Sequence, residues 1–471
     1  MIREEAIAIL DSKDREAAIT KIMELGQKAQ KYDQLIQADA ATPSGQRPVY
    51  TKENKGSGKR NKKPGRKQGH PGSRRTVPEK IDHYREHKLN DCPCCQSKVH
   101  PGIKAYTRYT EDIPPVEPEV TQHTIYQHWC PGCQDYVTAP ITEAMENANL
   151  SLRIVVLTAW LHYALGISVR NVAKILDVVC SFKVTPGALT QAWVRLATLL
   201  QAEYDSILEK IRQSAALHAD ETGWRLNGDN YWLWVFSTKE YCPLCCGMLS
   251  VFPWNTHRGS PVVEQALGVI YEGVLICDFW YAYNQIQALA KQRCYYHLFT
   301  ELVKVDRTNT SKEWKGFRKK LKKLLKDALR LQENKSTLDS IVFERRKKRL
   351  HKRLEWLIET VGKDKDVKRL IKRLKRHQDE LFTFLDYDVS PYNNHGEQQM
   401  RPPVISRKIS QQNRSEAGAL TQAILMSLFR TALLQGLNPV EYVKELGEKA
   451  IKRQHLQKYT DNEQDNLKMA A

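Results

Sequence analysis

The sequence lacks long hydrophobic runs. Its longest apolar stretch, residues 154–167, contains His162 and is shorter than the roughly 20 residues that a membrane-spanning helix needs. The opening segment, MIREEAIAIL, has no signal-peptide pattern, and no GxxxxGK[ST] phosphate-binding loop occurs. These absences predict a soluble, cytoplasmic protein with no membrane partner, and they argue against an ATP-driven helicase or partitioning protein.

Acidic residues are also in short supply. The 471 residues include 73 Lys and Arg against 54 Asp and Glu, a net charge of +19. Such an excess favours a polyanionic partner, either nucleic acid or an acidic membrane surface. The hydrophobic content of 41% is ordinary, and the length allows about two to four domains with at least one large core.

The sequence of the first eighty residues predicts a helix followed by a linker. Apolar residues in the helical segment alternate spacings of four and three, at Ala18, Ile22, Leu25, Ala29, Tyr32 and Ile36. That pattern fits a short coiled coil and equally an amphipathic helix that packs on its own chain. Residues 38–80 are rich in Gly, Pro, Lys and Arg, which predicts a disordered basic linker that is either solvated or in contact with a DNA backbone.

Two cysteine pairs predict a metal site. The 11 cysteines include two CxxC pairs, formed by Cys92 with Cys95 and by Cys130 with Cys133. Four thiolates suit one structural, tetrahedral Zn²⁺, although four buried thiols are the alternative. The segments TRYTEDIP and VTQHTIYQHW between the pairs predict the strands of a zinc ribbon with an enlarged hairpin. Further cysteines and histidines leave the ligand set open: the spare Cys94, and His87, His100 or His128 as replacements for a cysteine.

Residues 150–200 predict helices. SVRNVAKILDVV has a helical apolar face, and Thr185 with Pro186 supplies an N-cap and a first-turn proline for the next helix. The two helices fit a DNA-binding helix-turn-helix and equally a plain helical hairpin.

From residue 213 the apolar period changes from helix to strand. ALHADETGW, YWLWVFS, MLSVF and GVLICDFW predict strands, with a helix at Ser260–Leu267 before the fourth, and a helix and a strand around CYYHLF follow. This order is that of an RNase H-like domain, one candidate among several α/β folds.

Residues 311–385 return to a helical period. Between residues 311 and 380 there are 25 basic and 11 acidic residues, a surplus of 14. This period and surplus predict an all-helical insertion with a basic face. Its candidate DNA contacts are Lys319, Lys320, Lys322 and Lys323. A simply solvated lysine-rich surface is the alternative.

Three acids are candidate catalytic residues. We expect Asp220 and Asp278 to end adjacent strands, where the two carboxylates would repel each other unless divalent cations lay between them. Two Mg²⁺ (or Mn²⁺) ions about 3.5–4 Å apart can activate a nucleophile and stabilise a leaving oxygen. Glu397 is the expected third ligand. The alternatives are strand-end turn acids for the two aspartates and a capping box with Asn394 for Glu397. Glu221 is expected to point away from the metal, because neighbouring strand residues face opposite ways.

These segments resemble the insertion sequence 66 family of bacterial DDE transposases. The resemblance is carried by HADETGW, CDFWYAY, CYYH and YNNHGEQQMRPPVISRKIS, by the upstream order of helix, basic linker, double CxxC and helical region, and by GLNPVEYVKEL. It covers nearly the whole chain. CYYH, residues 294–297, resembles the (C/D)xxH signature of several transposase groups, but core packing is the expected role of Cys294 and His297.

The resemblance implies a DNA transposase that cleaves at element ends and transfers the 3′-OH to target DNA, with Asp220, Asp278 and Glu397 as its triad. It further implies double-stranded DNA as partner, a homo-oligomer on DNA, accessory proteins of the same element and a place on the bacterial nucleoid. Basic residues after Glu397 are added candidate DNA contacts: Arg401, Arg407 and Lys408. Rival interpretations are a non-catalytic DNA-binding protein derived from a decayed transposase and an RNA-directed nuclease of RNase H type.

Three details depart from the family pattern or from a simple helix. Cys94 crowds the first CxxC pair, and CPLCC adds Cys242 and Cys245, which we interpret as hairpin residues. Pro402 and Pro403 predict that the helix of Glu397 is short or kinked.

The predicted fold class is therefore multidomain α+β, with an RNase H-like α/β catalytic core, an all-helical insertion, and preceding zinc-ribbon and helix-turn-helix regions. The predicted segments are the N-terminal helix or coiled coil (1–37), the basic linker (38–80), the zinc ribbon (81–140), the helix-turn-helix region (145–205), the first part of the core (213–310), the basic helical insertion (311–388), the C-terminal helices of the core (389–450) and a tail (451–471).

Overall fold

The computed structural model describes Met23 and residues 77–246 and 260–469. Met23 is helical, and the rest of the predicted N-terminal helix lies outside the described residues. The same holds for the linker up to residue 76 and for the strand predicted at MLSVF.

The cysteine module contains one short antiparallel hairpin. Its strands are β1 (Gln127–Cys130) and β2 (Asp135–Thr138). The longer predicted strands are wrong, since residues 101–126 form neither helix nor strand and are all exposed. An isolated two-stranded ribbon is marginal in water, so alternation in the sequence is not enough to extend it.

Between the cysteine module and the main sheet, the chain forms four helices. They are α1 (Leu152–Ala159, continued by a π-helical turn, Trp160–Ala164), α2 (Val169–Cys180), α3 (Pro186–Leu199) and α4 (Gln201–Arg212). The predicted cap of α3 is confirmed, because Thr185 Oγ1 accepts a hydrogen bond from Ala188 N at 3.2 Å and Pro186 occupies the first turn. The first half of α3 is largely exposed, while Trp193 and Leu196 further along are buried.

The described residues form a five-stranded mixed sheet at the centre of the larger core. Its strands are β3 (Ala216–Leu226), β4 (Asp229–Ser237), β5 (Leu244–Cys246), β6 (Ile270–Cys277) and β7 (Gln287–Arg293), with helix α5 (Ser260–Leu267) before β6 as predicted. The spatial order is β5-β4-β3-β6-β7. The β3–β4 and β4–β5 pairs are antiparallel, and the β3–β6 and β6–β7 pairs are parallel.

The strand predicted around CYYHLF is wrong. That segment begins helix α6 (Tyr295–Asp306), whose buried residues Tyr295, Leu298, Leu302 and Val305 recur at the helical period. The fifth strand lies one segment earlier, in QALAKQR. It is an edge strand with exposed Gln287 and Leu289, so its polar sequence gave no strand signal.

Residues 312–386 are helical and pack around a core of their own. The elements are α7 (Lys312–Glu333), α8 (Ser340–Glu359), α9 (Lys365–Arg376) and α10 (Thr383–Asp386). Their buried apolar residues, including Trp314, Leu321 and Leu354, cluster with those of α6. The sheet and the flanking helices enclose the other hydrophobic cluster, so the described residues contain two cores.

Three helices complete the described chain. They are α11 (Asn394–Ser410), α12 (Glu416–Leu434) and α13 (Pro439–Met469). Helix α12 is the one described helix long and apolar enough to cross a membrane, but 67% of its apolar window is buried inside the protein. It packs against β5 and α3 as the central helix of the larger core.

Candidate active site on the sheet edge

Register places Asp220 beside Asp278. The parallel pairing of β3 and β6 ends with His218 opposite Ile276, so Asp220 and Asp278 each lie two residues beyond this pair along the two neighbouring strands. The prediction that Asp220 ends its strand is wrong, because β3 stays paired with β4 as far as Leu226. The two acids nevertheless meet, since Asp278 directly follows β6.

The Asp220 carboxyl group lies in a strongly acidic environment. Burial raises its pKa well above the ordinary value, and the charges of Glu221, Asp278 and Glu397 raise it further. The backbone N–H of Glu221 donates to Asp220 Oδ1 at 3.0 Å, which opposes this shift. A partly buried group of carboxylates that repel one another suits hard divalent cations.

Asp278 is held from two sides. Its Oδ1 accepts a hydrogen bond from Trp280 N at 2.8 Å, and its backbone carbonyl accepts one from Arg293 Nη1 at 2.7 Å. Arg293 is fully buried and also donates to Glu380 and to Asn284. The position of Asp278 therefore depends on a buried guanidinium.

Glu397 lies in the first turn of α11, and Asn393 ties this helix to β3. The Asn393 side-chain amide donates to the carbonyl oxygen of Ala219 at 2.7 Å, and its Oδ1 lies 2.9 Å from His218 Nδ1. Because the amide oxygen can only accept, His218 Nδ1 carries the proton of that bond. Burial lowers the pKa of His218 to about 4, so the ring is neutral at pH 7.

The capping-box interpretation of Glu397 is wrong in this structure. The cap residue is Asn393, and Asn394 is already the first residue of the helix. The backbone N–H of Asn393 donates to Cys294 Sγ at 3.2 Å rather than to a glutamate. Of the two expected outcomes, a short or a kinked helix, the short one is wrong, since α11 runs for 17 residues with Pro402 and Pro403 inside it.

Cys294 and His297 lie beside Glu397. The sulfur, one ring nitrogen and one carboxylate oxygen all lie within 4.8 Å of one another. Cys294 is the cap residue of α6 and His297 is in its first turn. Sequence reasoning assigned both to core packing, and the CxxH spacing was the available signal for a shared site.

Glu221 is buried, and among the neighbouring acids its charge does most to raise the pKa of Asp220. The hydroxyl group of Tyr283 donates to its Oε2. Glu221 thus has the structural partner expected for a strand residue facing the side opposite to Asp220.

The two CxxC pairs share one backbone design. CPCCQ and CPGCQ each end in a residue with a left-handed conformation, Gln96 with φ of 58° and Gln134 with φ of 52°. Cys94 therefore occupies the turn position that Gly132 occupies in the other pair, and it is exposed.

The thiols approach each other within each pair. Hydrogen bonds with Ser97 and Cys92 lower the pKa of Cys95 to about 7, and hydrogen bonds with Cys133 and Gly132 lower the pKa of Cys130. A lowered pKa favours the thiolate form that binds zinc. The two pairs do not come together in the described part of the chain, where no three of the four sulfurs lie within 4.8 Å of one another.

Three of the predicted DNA-contact lysines are exposed on α7: Lys319, Lys320 and Lys323. Lys322 is half-buried, and Lys320 Nζ lies 4.4 Å from the centre of the exposed Trp356 ring. On α11, Arg401 and Lys408 are exposed at helical spacings of four and seven that continue the line of Glu397.

Arg407 corrects the DNA-contact prediction. Only 8% of this residue is exposed, and its guanidinium donates to Thr222 Oγ1 at 3.0 Å and to the carbonyl oxygen of Gly223. It joins α11 to β3 and is not a surface contact. The run of basic residues does not predict the burial of Arg407, because the orientation of each side chain around α11 decides which of them are buried.

Comparison with known proteins identifies the family. The family described as "Transposase IS66 family" matches residues 148–421, more than half of the chain, and "zinc-finger binding domain of transposase IS66" matches residues 90–134. The class is thus that of transposases, proteins that act on DNA. The chain belongs to the IS66 transposase family, which confirms the resemblance drawn from the core motifs. No curated protein sequence matches the chain.

Proposed function

We propose that this chain is the catalytic transposase of an insertion sequence, which cleaves DNA at the element ends and joins the freed 3′-OH to target DNA. The carrying observation is that Asp278, at the end of β6, and Glu397, on α11, lie close enough to Asp220 on β3 for their charges to raise its pKa. The sheet order and the helical segment before Glu397 support an RNase H-like core with an all-helical insertion.

The three acids would hold two Mg²⁺ or Mn²⁺ ions. Bound there, such ions would lower the pKa of the attacking water or 3′-OH. They would also stabilise the negative charge on the leaving oxygen. The acids fit this role because burial and mutual repulsion leave the Asp220 carboxyl group in need of a compensating positive charge.

The remaining roles follow from the positions of the side chains. Asn393 and His218 fix the start of α11 against β3, which keeps the Glu397 charge close enough to Asp220 to raise its pKa. Arg293 holds the backbone at Asp278. Arg401 and Lys408 extend a basic line along α11 that suits the DNA phosphates leading into the site.

The upstream regions would position the DNA. Helices α2 and α3 form a capped pair with a five-residue connection, and the exposed start of α3 suits a helix-turn-helix recognition helix. The cysteine module would bind one structural Zn²⁺ through Cys92, Cys95, Cys130 and Cys133, once the two knuckles close on the ion. A homo-oligomer on DNA, accessory proteins of the same element and a cytoplasmic, nucleoid-bound location belong to the same proposal.

Substitution of each acid by its amide tests the catalytic proposal. Asp220→Asn, Asp278→Asn and Glu397→Gln should each fold and bind element-end DNA, yet lose cleavage and joining by about 100-fold or more, because the amide removes a charge that the cations need. Strand cleavage and transfer in Mg²⁺ are measured alongside DNA affinity and a melting curve.

The matched control is Glu416→Gln. Glu416 lies exposed in the first turn of α12, so this variant makes the same chemical change at the start of another helix and should retain full activity. Clear cleavage by Glu397→Gln would remove Glu397 from the site. A parent protein that binds element ends but never cuts them would favour the alternative, a non-catalytic DNA-binding protein derived from a decayed transposase.

A further inference from the structure

A sulfur, a nitrogen and an oxygen donor converge next to the three acids. The ligand atoms of Cys294, His297 and Glu397 lie within 4.8 Å of one another, and His297 Nδ1 is 3.9 Å from Glu397 Oε1. Among the described residues, this is the one group of three or more such side chains that comes this close.

Two of these three candidate ligand atoms are buried without a hydrogen-bond partner. His297 Nδ1 and Glu397 Oε1 have none within the described part of the chain. A buried polar atom without a partner lowers stability, and a bound cation would give both of these atoms a partner. The third donor, Cys294 Sγ, is held by a hydrogen bond from Asn393 N at 3.2 Å.

We propose that Cys294, His297 and Glu397 form a binding site for one borderline-soft divalent cation of the Zn²⁺ type. Thiolate and imidazole ligands favour such cations, whereas Mg²⁺ prefers carboxylate and water oxygens. Ligand atoms around a tetrahedral zinc lie about 3.3–3.8 Å apart given the usual bond lengths, so a small closure of the cluster suffices.

The elements around the cluster support a defined geometry. Cys294 N donates to the carbonyl oxygen of Cys277 at 2.9 Å, which anchors the start of α6 to the end of β6. Cys294 is fully buried, while His297 and Glu397 keep 40% and 33% of their side chains exposed. Three protein ligands with one accessible side match zinc sites that keep an open coordination position.

Glu397 belongs to both sites. A soft cation bound to Cys294 and His297 would engage Glu397 and withdraw it from Asp220 and Asp278. This consequence rests on the proposed function, whereas the binding of the cation does not.

Metal content tests the binding. The full-length protein, loaded with Zn²⁺ and freed of excess metal, should hold about two Zn²⁺ per chain, one of them in the cysteine module. Cys294→Ser and His297→Gln should each hold about one. Cys130→Ser with Cys133→Ser should lose the other ion. Cys180→Ser, which changes a half-buried cysteine at the end of α2, is the matched control and should keep both.

The absorption spectrum of bound Co²⁺ is a second measurement, and it detects the cysteine ligand directly. Co²⁺ bound at a cysteine gives a thiolate-to-metal absorption band, and the protein without the Cys130 and Cys133 thiols should still show one that depends on His297. Equal zinc content in the parent, Cys294→Ser and His297→Gln, or no such cobalt band, would overturn the proposal. Asp220→Asn should keep both zinc ions even while it abolishes cleavage, which separates this test from that of the catalytic function.

Discussion

Arg293 carries a positive charge that is fully buried at the end of β7. Its partners come from three parts of the chain: the carbonyl oxygen of Asp278, the side chain of Asn284 and the carboxylate of Glu380. Glu380 also accepts from His377 Nδ1 at 2.7 Å. Glu380 is therefore a structural residue that balances the buried Arg293 charge.

Glu380→Gln should destabilise the protein by about 3 kcal/mol at pH 7, because it leaves the Arg293 charge buried without its counter-ion. Burial by itself would raise the pKa of Glu380, but the hydrogen bond from His377 and the charge of Arg293 lower it to about 2. A depressed pKa contributes stability above the unfolded-state value, and that contribution is lost as the pH falls toward 2. The difference in free energy of unfolding between parent and variant should thus be full at pH 7 and shrink below about pH 4.5.

Urea denaturation at a series of pH values measures this difference. Asp379→Asn, an exposed neighbour on the same turn, is the control and should show little effect at any pH. A difference that stays constant from pH 7 to pH 3 would contradict the buried ion pair as its source.

The start of α11 determines where Glu397 points. Sequence rules place the cap at Asn394, but in the structure the cap residue is Asn393. Its side chain forms hydrogen bonds with β3 and none with the helix backbone. Gly396 packs so closely that an added Cβ would lie 2.9 Å from Asn393 Oδ1. Helix start, strand β3 and the Cys294 sulfur thus form one contact region.

Asn393→Ala should lower the free energy of unfolding by about 1–3 kcal/mol, because it leaves His218 Nδ1 and the carbonyl oxygen of Ala219 buried without a hydrogen-bond partner. It should also reduce cleavage more than DNA binding, since Glu397 loses its anchor. Asn394→Ala, at the exposed neighbouring position, is the matched control and should have little effect on either. The reverse ranking of the two variants would restore Asn394 as the cap. Melting curves and cleavage rates distinguish the outcomes.

Charge is unevenly distributed over the whole molecule. The helices α7 to α9 hold a large basic surplus, and part of it is neutralised by ion pairs such as Arg318 with Asp306 and Arg353 with Asp327. Lys319 and Lys323 are exposed, and no described ion pair involves either. They are therefore available to a polyanion, as the DNA-contact interpretation requires.

Reversing both charges, Lys319→Glu with Lys323→Glu, should weaken binding to all DNA sequences. The slope of log affinity against log salt should flatten by about 0.9 for each DNA phosphate that the variant no longer neutralises. Lys449→Glu with Lys452→Glu makes the same charge change on the exposed face of α13 and is the control. Equal slopes for the two double variants would return Lys319 and Lys323 to the solvated-surface interpretation. Fluorescence titrations over a salt series measure the slopes.

The sequence by itself determined the features that depend on local chemistry. Thr185 and Pro186 begin α3 because a cap hydroxyl and a fixed φ act within one turn. The helical segment after residue 311 follows from apolar spacing, and the family follows from short motifs at fixed positions. The candidate acids Asp220, Asp278 and Glu397 were also identifiable, since each stands in such a motif.

Tertiary structure alone decided the contacts between distant segments. Arg407 is buried on β3 while its neighbour Lys408 is exposed, and only the rotation of α11 against the sheet separates them. Edge strand β7 formed from a polar segment because β6 offered it hydrogen bonds, whereas residues 101–126 found no surface on which to pack. Cys294 and Glu397 are about a hundred residues apart and meet through Asn393. Local pattern rules do not contain such long-range contacts, because their free energy comes from surfaces that exist only once the chain has folded.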